Sequence, residues 1–398
     1  MARSRSSYTR PPHVVVATRV YTPEPVAAAF RQEALVLALE RAGAEVTVLT
    51  TTAPGAGRVR TRAHRVSRWP VKRDSQGQVR GYVSYMSFDL PLALRLLLQR
   101  PLDAIVLEPP PTTGIVGMVA AAIRRVPYTF YAADVWSDAT DSVDGVPTIV
   151  RTAVRWAEKT VWKRAARVLT ISPGVQHRLE ELIGSRSSLV MVGNGIDTET
   201  FHDQGETGGE QDPYFVYAGT VSEWQGAGVF LDAFARTRAS HPEARLLFFS
   251  EGSGRDELEA RVQAEGIEGI DFRDKIPRRR SPRICGGRRR AVLDHTRAGL
   301  RVRPAHQDLC RHGDGHPVIH AGEGAAHDRI RDNALGWACD YDAEQVAEAM
   351  REALAGDGGV DPQHLRRWTL ENASLAGCAT KGAQQVLASL AERAARRD

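Results

Sequence analysis

Three short segments could bring backbone N–H groups to an anion: Gly193-Asn194-Gly195-Ile196-Asp197, Gly219-Thr220 and Glu251-Gly252-Ser253-Gly254. Each follows a run of strand character. Glycine there lets the main chain approach phosphate oxygens, and a following helix N-terminus favours negative charge. Any one such turn can exist for steric reasons alone; three in succession carry more weight. A fourth, Gly322-Glu323-Gly324-Ala325, lies where Val318-Ile319-His320-Ala321 gives way to a helical pattern. Earlier in the chain, Asp134-Val135-Trp136-Ser137-Asp138 also follows a strand-like run. A carboxylate such as Asp134 accepts hydrogen bonds well from a ligand hydroxyl, although a helix N-cap uses aspartate in the same way. Neither HExxH nor an Asp-x-Asp at a strand end is present, and Asp340-Tyr341-Asp342 precedes a helix at 343–355 and has the form of a cap. No metal or cofactor is expected.

The elements that must hold these turns alternate. His13–Thr18 is a buried strand, Pro25–Ala42 a helix closed by Gly43, and Glu45–Thr50 a strand again. Then come strands at 104–107, 128–132, 167–172 and 189–192, with helices at 113–124, 147–165 and 173–183 between them. The pattern restarts with strands at 214–219 and 245–249 and helices at 227–238 and 255–265. Strands alternating with helices give parallel βαβ units in doubly wound sheets. The expected organisation is an N-terminal Rossmann-like domain over 1–200, a polar linker over 201–212, a second Rossmann-like domain over 213–375 and a final helix within 376–398. Two such domains facing across a cleft would place the carboxyl ends of both sheets at a ligand.

These landmarks resemble glycosyltransferase family 4, a large retaining family. The carriers are Tyr21-Thr22-Pro23-Glu24-Pro25 before a helix, Ala42–Thr50, the hinge-like Val192–Asp197 with Phe201, and Tyr217-Ala218-Gly219-Thr220 with Trp224-Gln225-Gly226-Ala227. The likeness spans about 12–275 and 316–355. It implies the GT-B fold and transfer of a sugar from a nucleotide-sugar donor to a hydroxyl acceptor on a cell-surface polysaccharide, a lipid-linked intermediate or a secondary metabolite. By the same likeness Asp134 and Asp138 are candidate catalytic carboxylates. Gly219, Thr220, Gln225, Gly252, Gly254, Glu323 and Gly324 fall on the donor side, and Glu24 and Glu108 on the acceptor side. Where many members carry an arginine and a lysine for donor phosphates, this chain has Thr220 or Val221, and Gln225. Where many carry a histidine, it has the Asp134–Asp138 loop, as in a polysaccharide-assembly branch. A sugar-nucleotide epimerase shares the architecture but needs acid–base groups that His13, His177 and His241 do not supply. A dinucleotide oxidoreductase is disfavoured because no GxGxxG follows the first strand. A GT-B protein that binds without catalysis remains the other alternative.

Residues 278–315 fit none of this pattern. They hold eleven Arg, no Lys, three Asp and no Glu, so the net charge of +5 comes from this window and the rest of the chain is net acidic. No strand or helix period is expected in it, and a structureless loop of that length inside a domain counts against itself. Shifted by one nucleotide, codons for 305–316 permit Pro-Thr-Lys-Ile-Tyr-Ala-Ala-Met-Ala-Thr-Gly-Thr, meeting Pro317-Val318-Ile319 in frame. That resembles the donor-site helix of the family branch. Misframed GC-rich codons also generate arginine. The window therefore reads as a compensated pair of frameshifts, near Pro277–Arg280 and Gly315–His316, and as a poorly ordered segment.

Composition supports a globular protein rather than a membrane-spanning or disordered chain, at 42% hydrophobic and 25% charged residues. Because the basic charge is confined to one window, no nucleic-acid partner is expected. Four cysteines without CxxC spacing indicate neither a zinc site nor a disulfide framework. No apolar signal core precedes the first strand, so the cytoplasm is the expected location. Arg155, Lys159 and Lys163 share one face of the 147–167 helix, with Trp156 and Trp162 nearby, which is compatible with peripheral contact at the inner face of a membrane.

Overall fold

A computed structural model of the chain describes residues 10–24, 26–53, 64–74, 79, 81–141, 146–198, 213–220, 226–251, 254–273, 289–295, 315–356 and 360–396. The chain forms two compact units, residues 1–193 with 376–398, and residues 194–375. The expected linker at 201–212 lies outside the described residues.

The first unit is a seven-stranded sheet. Its strands are β1 (His13–Ala17), β2 (Glu45–Thr51), β3 (Arg65–Trp69), β4 (Ala104–Leu107), β5 (Tyr128–Ala132), β6 (Arg167–Thr170) and β7 (Leu189–Met191), in the order β3-β2-β1-β4-β5-β6-β7. All pairings are parallel. Strands β1 and β4 have no exposed residue because helices cover both faces. The helices are α1 (Ala27–Arg41), α2 (Tyr82–Leu98), α3 (Pro111–Arg124), α4 (Trp136–Asp141), α5 (Thr148–Arg164) and α6 (Pro173–Ile183). Strand order reverses between β1 and β4, whose register pairs Val14 with Ala104 and Ala17 with Leu107. Their carboxyl ends diverge into loops leading to opposite faces, which opens a crevice.

The second unit repeats the plan with β8 (Tyr214–Thr220), β9 (Arg245–Glu251), β10 (Ile270–Arg273), β11 (Arg289–His295), β12 (Val318–Ala321) and β13 (Gly336–Cys339), ordered β10-β9-β8-β11-β12-β13 and parallel throughout. Around it lie α7 (Gly228–Arg238), α8 (Arg255–Glu265), α9 (Ala325–Asp332), α10 (Ala343–Ala355) and α11 (Pro362–Asn372). Asp342 caps α10, accepting from Glu344 N at 3.0 Å and Gln345 N at 2.9 Å, the role its sequence position indicates.

Strand β11 corrects the expectation that the arginine-rich window contains no strand. Its apolar part is only Ala291-Val292-Leu293, too short to stand out among arginines. Ala291 and Leu293 are nevertheless fully buried, and β8 and β12 flank the strand on both sides. Two neighbouring ladders supply the backbone hydrogen bonds, so a short apolar centre suffices. The remainder of 278–315 lies outside the described residues, apart from Gly315.

The final helix, α12 (Leu375–Ala395), belongs almost wholly to the first unit. Ala379, Ala383, Val386 and Leu390 fall on one stripe and join that unit's core. Arg167, on β6, bonds both Gln385 and Glu392 on this helix. The hinge-like Asn194–Asp197 segment runs instead beside Ala373–Leu375 of the second unit. There Ile196 N donates to Ala373 O at 2.8 Å and Leu375 N to Ile196 O at 2.6 Å. Gly195 is required at this crossing, because a Cβ would lie 2.5 Å from the Leu375 backbone.

Candidate functional site

A pocket of about 170 Å³ opens in the first unit at the carboxyl ends of β1, β4 and β5. Arg19 and Val20 come from the loop after β1, Glu108 and Pro109 from that after β4, and Ala133, Asp134 and Trp136 from that after β5. Ala28 and Arg31 of α1 form another wall. The β1/β4 reversal thus lies directly beneath the pocket, the place where a doubly wound sheet leaves room for a ligand.

Glu108 is 5% exposed, an unusual burial for a carboxyl group. Its Oε1 accepts from Thr18 Oγ1 and its Oε2 from Gln32 Nε2 at 2.8 Å. Burial pushes its pKa up; the nearby Arg31 charge, those two hydrogen bonds and Arg19 act in the opposite direction. Arg19 is 8% exposed and stacks over Tyr85 of α2, with Cζ 4.1 Å from the ring centre. Tyr85 in turn meets Trp136 edge to face at 5.8 Å. Burial pulls the pKa of Arg19 down, while Asp89, Tyr85 and Glu108 oppose that fall. Arg31 stands over the buried Tyr131 ring at 5.1 Å. The floor therefore carries two guanidinium groups backed by aromatic rings, and the exposed Asp134 lies at the rim.

The wall containing Trp136 is held from behind. The first N–H groups of α4, like those of any α-helix, have no acceptor within the helix. Glu158 of α5, 3% exposed, accepts from Trp136 N at 2.7 Å and Ser137 N at 2.9 Å. Desolvation raises the pKa of Glu158, and hydrogen bonds from Ser137 and Trp136 counter part of that rise.

The sequence-derived candidates separate. Glu108 and Asp134 line the pocket together. Asp138 forms a two-bonded ion pair with Arg178 of α6, both bonds at 2.8 Å. Glu24 pairs with Arg73, which also bonds Thr51 Oγ1 and Thr52 O at 2.8 Å, so Glu24 fastens a loop rather than lining the pocket. On the second unit, Gly219 and Thr220 end β8, alongside Ser250 and Glu251 ending β9. Gly254 precedes α8 at φ −84, a conformation open to any residue. Gly322 and Gly324 lie at φ 112 and 120, where L side chains are strained, and the exposed Glu323 stands between them at the start of α9. Gln225 and Gly252 lie outside the described residues. Among the described residues no group of three His, Cys, Asp or Glu is placed to hold a metal.

The sequence reading missed Arg19, Arg31, Tyr85 and Glu158. The available signal was an arginine two residues beyond the first strand, a position at the ligand end of any doubly wound sheet. His13 sits at the opposite end of β1, bonded to Pro101 O and Thr47 Oγ1. In α5, Trp156 is 64% exposed but Trp162 is 1% exposed and belongs to the core, and Arg155 is paired with Asp141. The described helices include none long and apolar enough to cross a membrane.

Residues 26–195 match the model of the glycosyltransferase 4-like domain, a stretch containing every pocket residue except Arg19 and Val20. No curated protein sequence matches the chain. Among solved structures, a glycosyltransferase from Rickettsia africae superposes with a TM-score of 0.70 at 12% identity, covering 96% of this chain and 99% of that one. HepE from Anabaena, in complex with UDP and glucose, gives 0.67 at 13% identity, covering 93% and 98%. The catalytic domain of starch synthase IV from Arabidopsis thaliana, bound to ADP and acarbose, gives 0.66 at 13%, covering 96% and 100%. The chain has the GT-B fold of these glycosyltransferases.

Proposed function

We propose that the chain is a retaining glycosyltransferase, moving a sugar from a nucleotide-sugar donor to a hydroxyl acceptor. The observation that carries this reading is the glycosyltransferase 4-like match over 26–195, which runs through the pocket at the β1/β4 reversal. The solved neighbours holding UDP or ADP support a nucleotide donor. In this proposal the donor's diphosphate meets the strand ends of the second unit, at Gly219, Thr220 and Gly322–Gly324, together with Gln225, Gly252 and Gly254. Backbone N–H groups there stabilise the departing phosphates, while the acceptor hydroxyl attacks from the same face. The acceptor occupies the first unit's pocket, with Asp134 accepting a hydrogen bond from it. No metal or other cofactor takes part. The protein works in the cytoplasm, touching the inner membrane face through the 147–167 helix; Lys159, Lys163 and the exposed Trp156 are compatible with this. Vesicle flotation tests that contact, and equal flotation with anionic and neutral lipid would dismiss it.

The reading is tested by incubating the purified chain with UDP-, GDP- and dTDP-sugars and measuring nucleotide release. Release above the no-enzyme rate with one nucleotide class is expected, reduced in Asp134→Asn. Calorimetric binding of a nucleotide-sugar with no release under any acceptor mixture would replace the transferase with a binding protein.

A further inference from the structure

The pocket of the first unit contains more guanidinium donors than its own residues use. Arg19 gives Nη2 to Pro109 O at 3.4 Å, a long bond, and its Nη1 is buried with no hydrogen-bond partner among the described residues. Arg31 has its Nε in the same condition. Both carboxylate oxygens of Glu108 are directed to Thr18 and Gln32, and neither arginine forms an ion pair with it. Asp89, whose charge also attracts Arg19, accepts at Oδ1 from Thr113 Oγ1 at 2.6 Å. Buried donors in native proteins are nearly always satisfied, so orphan N–H groups in a pocket wall call for an acceptor from outside the chain.

The chemistry narrows that acceptor. A guanidinium group presents a planar fork that matches the paired oxygens of phosphate or carboxylate, and it binds them more tightly than neutral hydroxyls. Arg19 and Arg31 reach the pocket from different elements, the β1 loop and α1, and converge on one space. The Tyr85 and Tyr131 rings back the two groups; Tyr85 also takes a hydrogen bond from Arg19, whereas Arg31 Nε is left without a partner among the described residues. Burial pushes the pKa of Glu108 up, and the charges of Arg31 and Arg19 oppose that rise.

We propose that Arg19 and Arg31 form an anion subsite, so that the pocket takes a ligand bearing a phosphate or carboxylate group beside a hydroxyl that reaches Asp134 at the rim. Identifying this ligand as the sugar acceptor rests on the transferase reading; the anion subsite itself does not.

The test is a titration of the full chain with sodium phosphate, sodium acetate and, at matched ionic strength, sodium chloride. Trp136 lines the pocket, so tryptophan fluorescence reports occupancy. A saturable change with phosphate or acetate, absent with chloride, is expected, and the stronger of the two names the anion. Arg31→Gln weakens that binding about tenfold or more, since a charge-assisted contact is lost. Arg31→Lys, which keeps the charge but not the fork, falls between. No saturable change beyond chloride would overturn the subsite, as would an Arg31→Gln protein that binds as the wild type does. If Arg31→Gln melts lower than the wild type, the lysine variant decides. Anion binding without sugar release keeps the subsite and removes the acceptor assignment. Sugar release with no anion effect does the reverse.

Discussion

Removing the Glu158 carboxylate should loosen one wall of the pocket before it unfolds the protein. That side chain accepts the first two N–H groups of α4 at 2.7 and 2.9 Å and is almost fully buried. In Glu158→Ala both donors lose their acceptor within a space too enclosed for ready hydration. A hydrogen bond to a charged group contributes about 1.5–3 kcal/mol, less the cost of keeping that charge buried. Burial raises the pKa of Glu158, so a desolvation cost opposes part of that gain. A net loss of about 2–4 kcal/mol follows for the alanine variant, and about 1–2 kcal/mol for Glu158→Gln, which keeps one acceptor. The effect should concentrate at the start of α4, because its later residues keep the Asp138–Arg178 and Asp141–Arg155 ion pairs. Hydrogen exchange measured on peptides covering 134–141 reads it directly. A loss of 2 kcal/mol corresponds to roughly thirtyfold faster exchange. Since Trp136 contacts Tyr85 and Tyr85 contacts Arg19, phosphate affinity should fall with it. Wild-type exchange rates at 134–141 in Glu158→Ala would refute the reasoning, whatever the global melting temperature does.

Three other outcomes are expected. Gly195→Ala should destabilise the second unit by about 1–3 kcal/mol, read as a lower urea midpoint, because its Cβ would meet the Leu375 backbone at 2.5 Å and neither chain can move cheaply. Glu108→Gln should flatten a pH dependence: with the folded-state pKa raised, the group's stabilisation is full below the ordinary carboxylate value and is lost as pH rises through the folded one. The variant should therefore gain stability relative to wild type from pH 4 toward neutrality, with Gln32 able to turn its unpartnered Oε1 toward the new amide; parallel urea midpoints at all pH values would contradict this. Restoring the shifted frame across 278–315, to encode Pro-Thr-Lys before Gly-Thr-Pro, should raise the melting temperature and nucleotide release together. Equal melting and turnover in the two versions would mean the arginine-rich stretch is a genuine element.

Strand and helix alternation was legible in the residues because burial imposes a local period. Val14–Val16 and Ile105–Leu107 are apolar in unbroken runs, as strands covered on both faces must be. The Gly322 and Gly324 turn was legible for a similar reason, since positive φ restricts the residue type wherever it occurs. Strand β11 escaped because its three apolar residues carry no period of their own; its place comes from β8 and β12 on either side. The same limit governs the site. Glu24, Asp138, Glu108 and Asp134 are all carboxylates near strand ends, alike in sequence. Arg73 and Arg178 engage the first two, while the last two are left to a pocket with Arg19 and Arg31. Which cation a carboxylate meets depends on how loops 40 or more residues apart converge. A local sequence period carries no record of that convergence, so only the tertiary fold decides it.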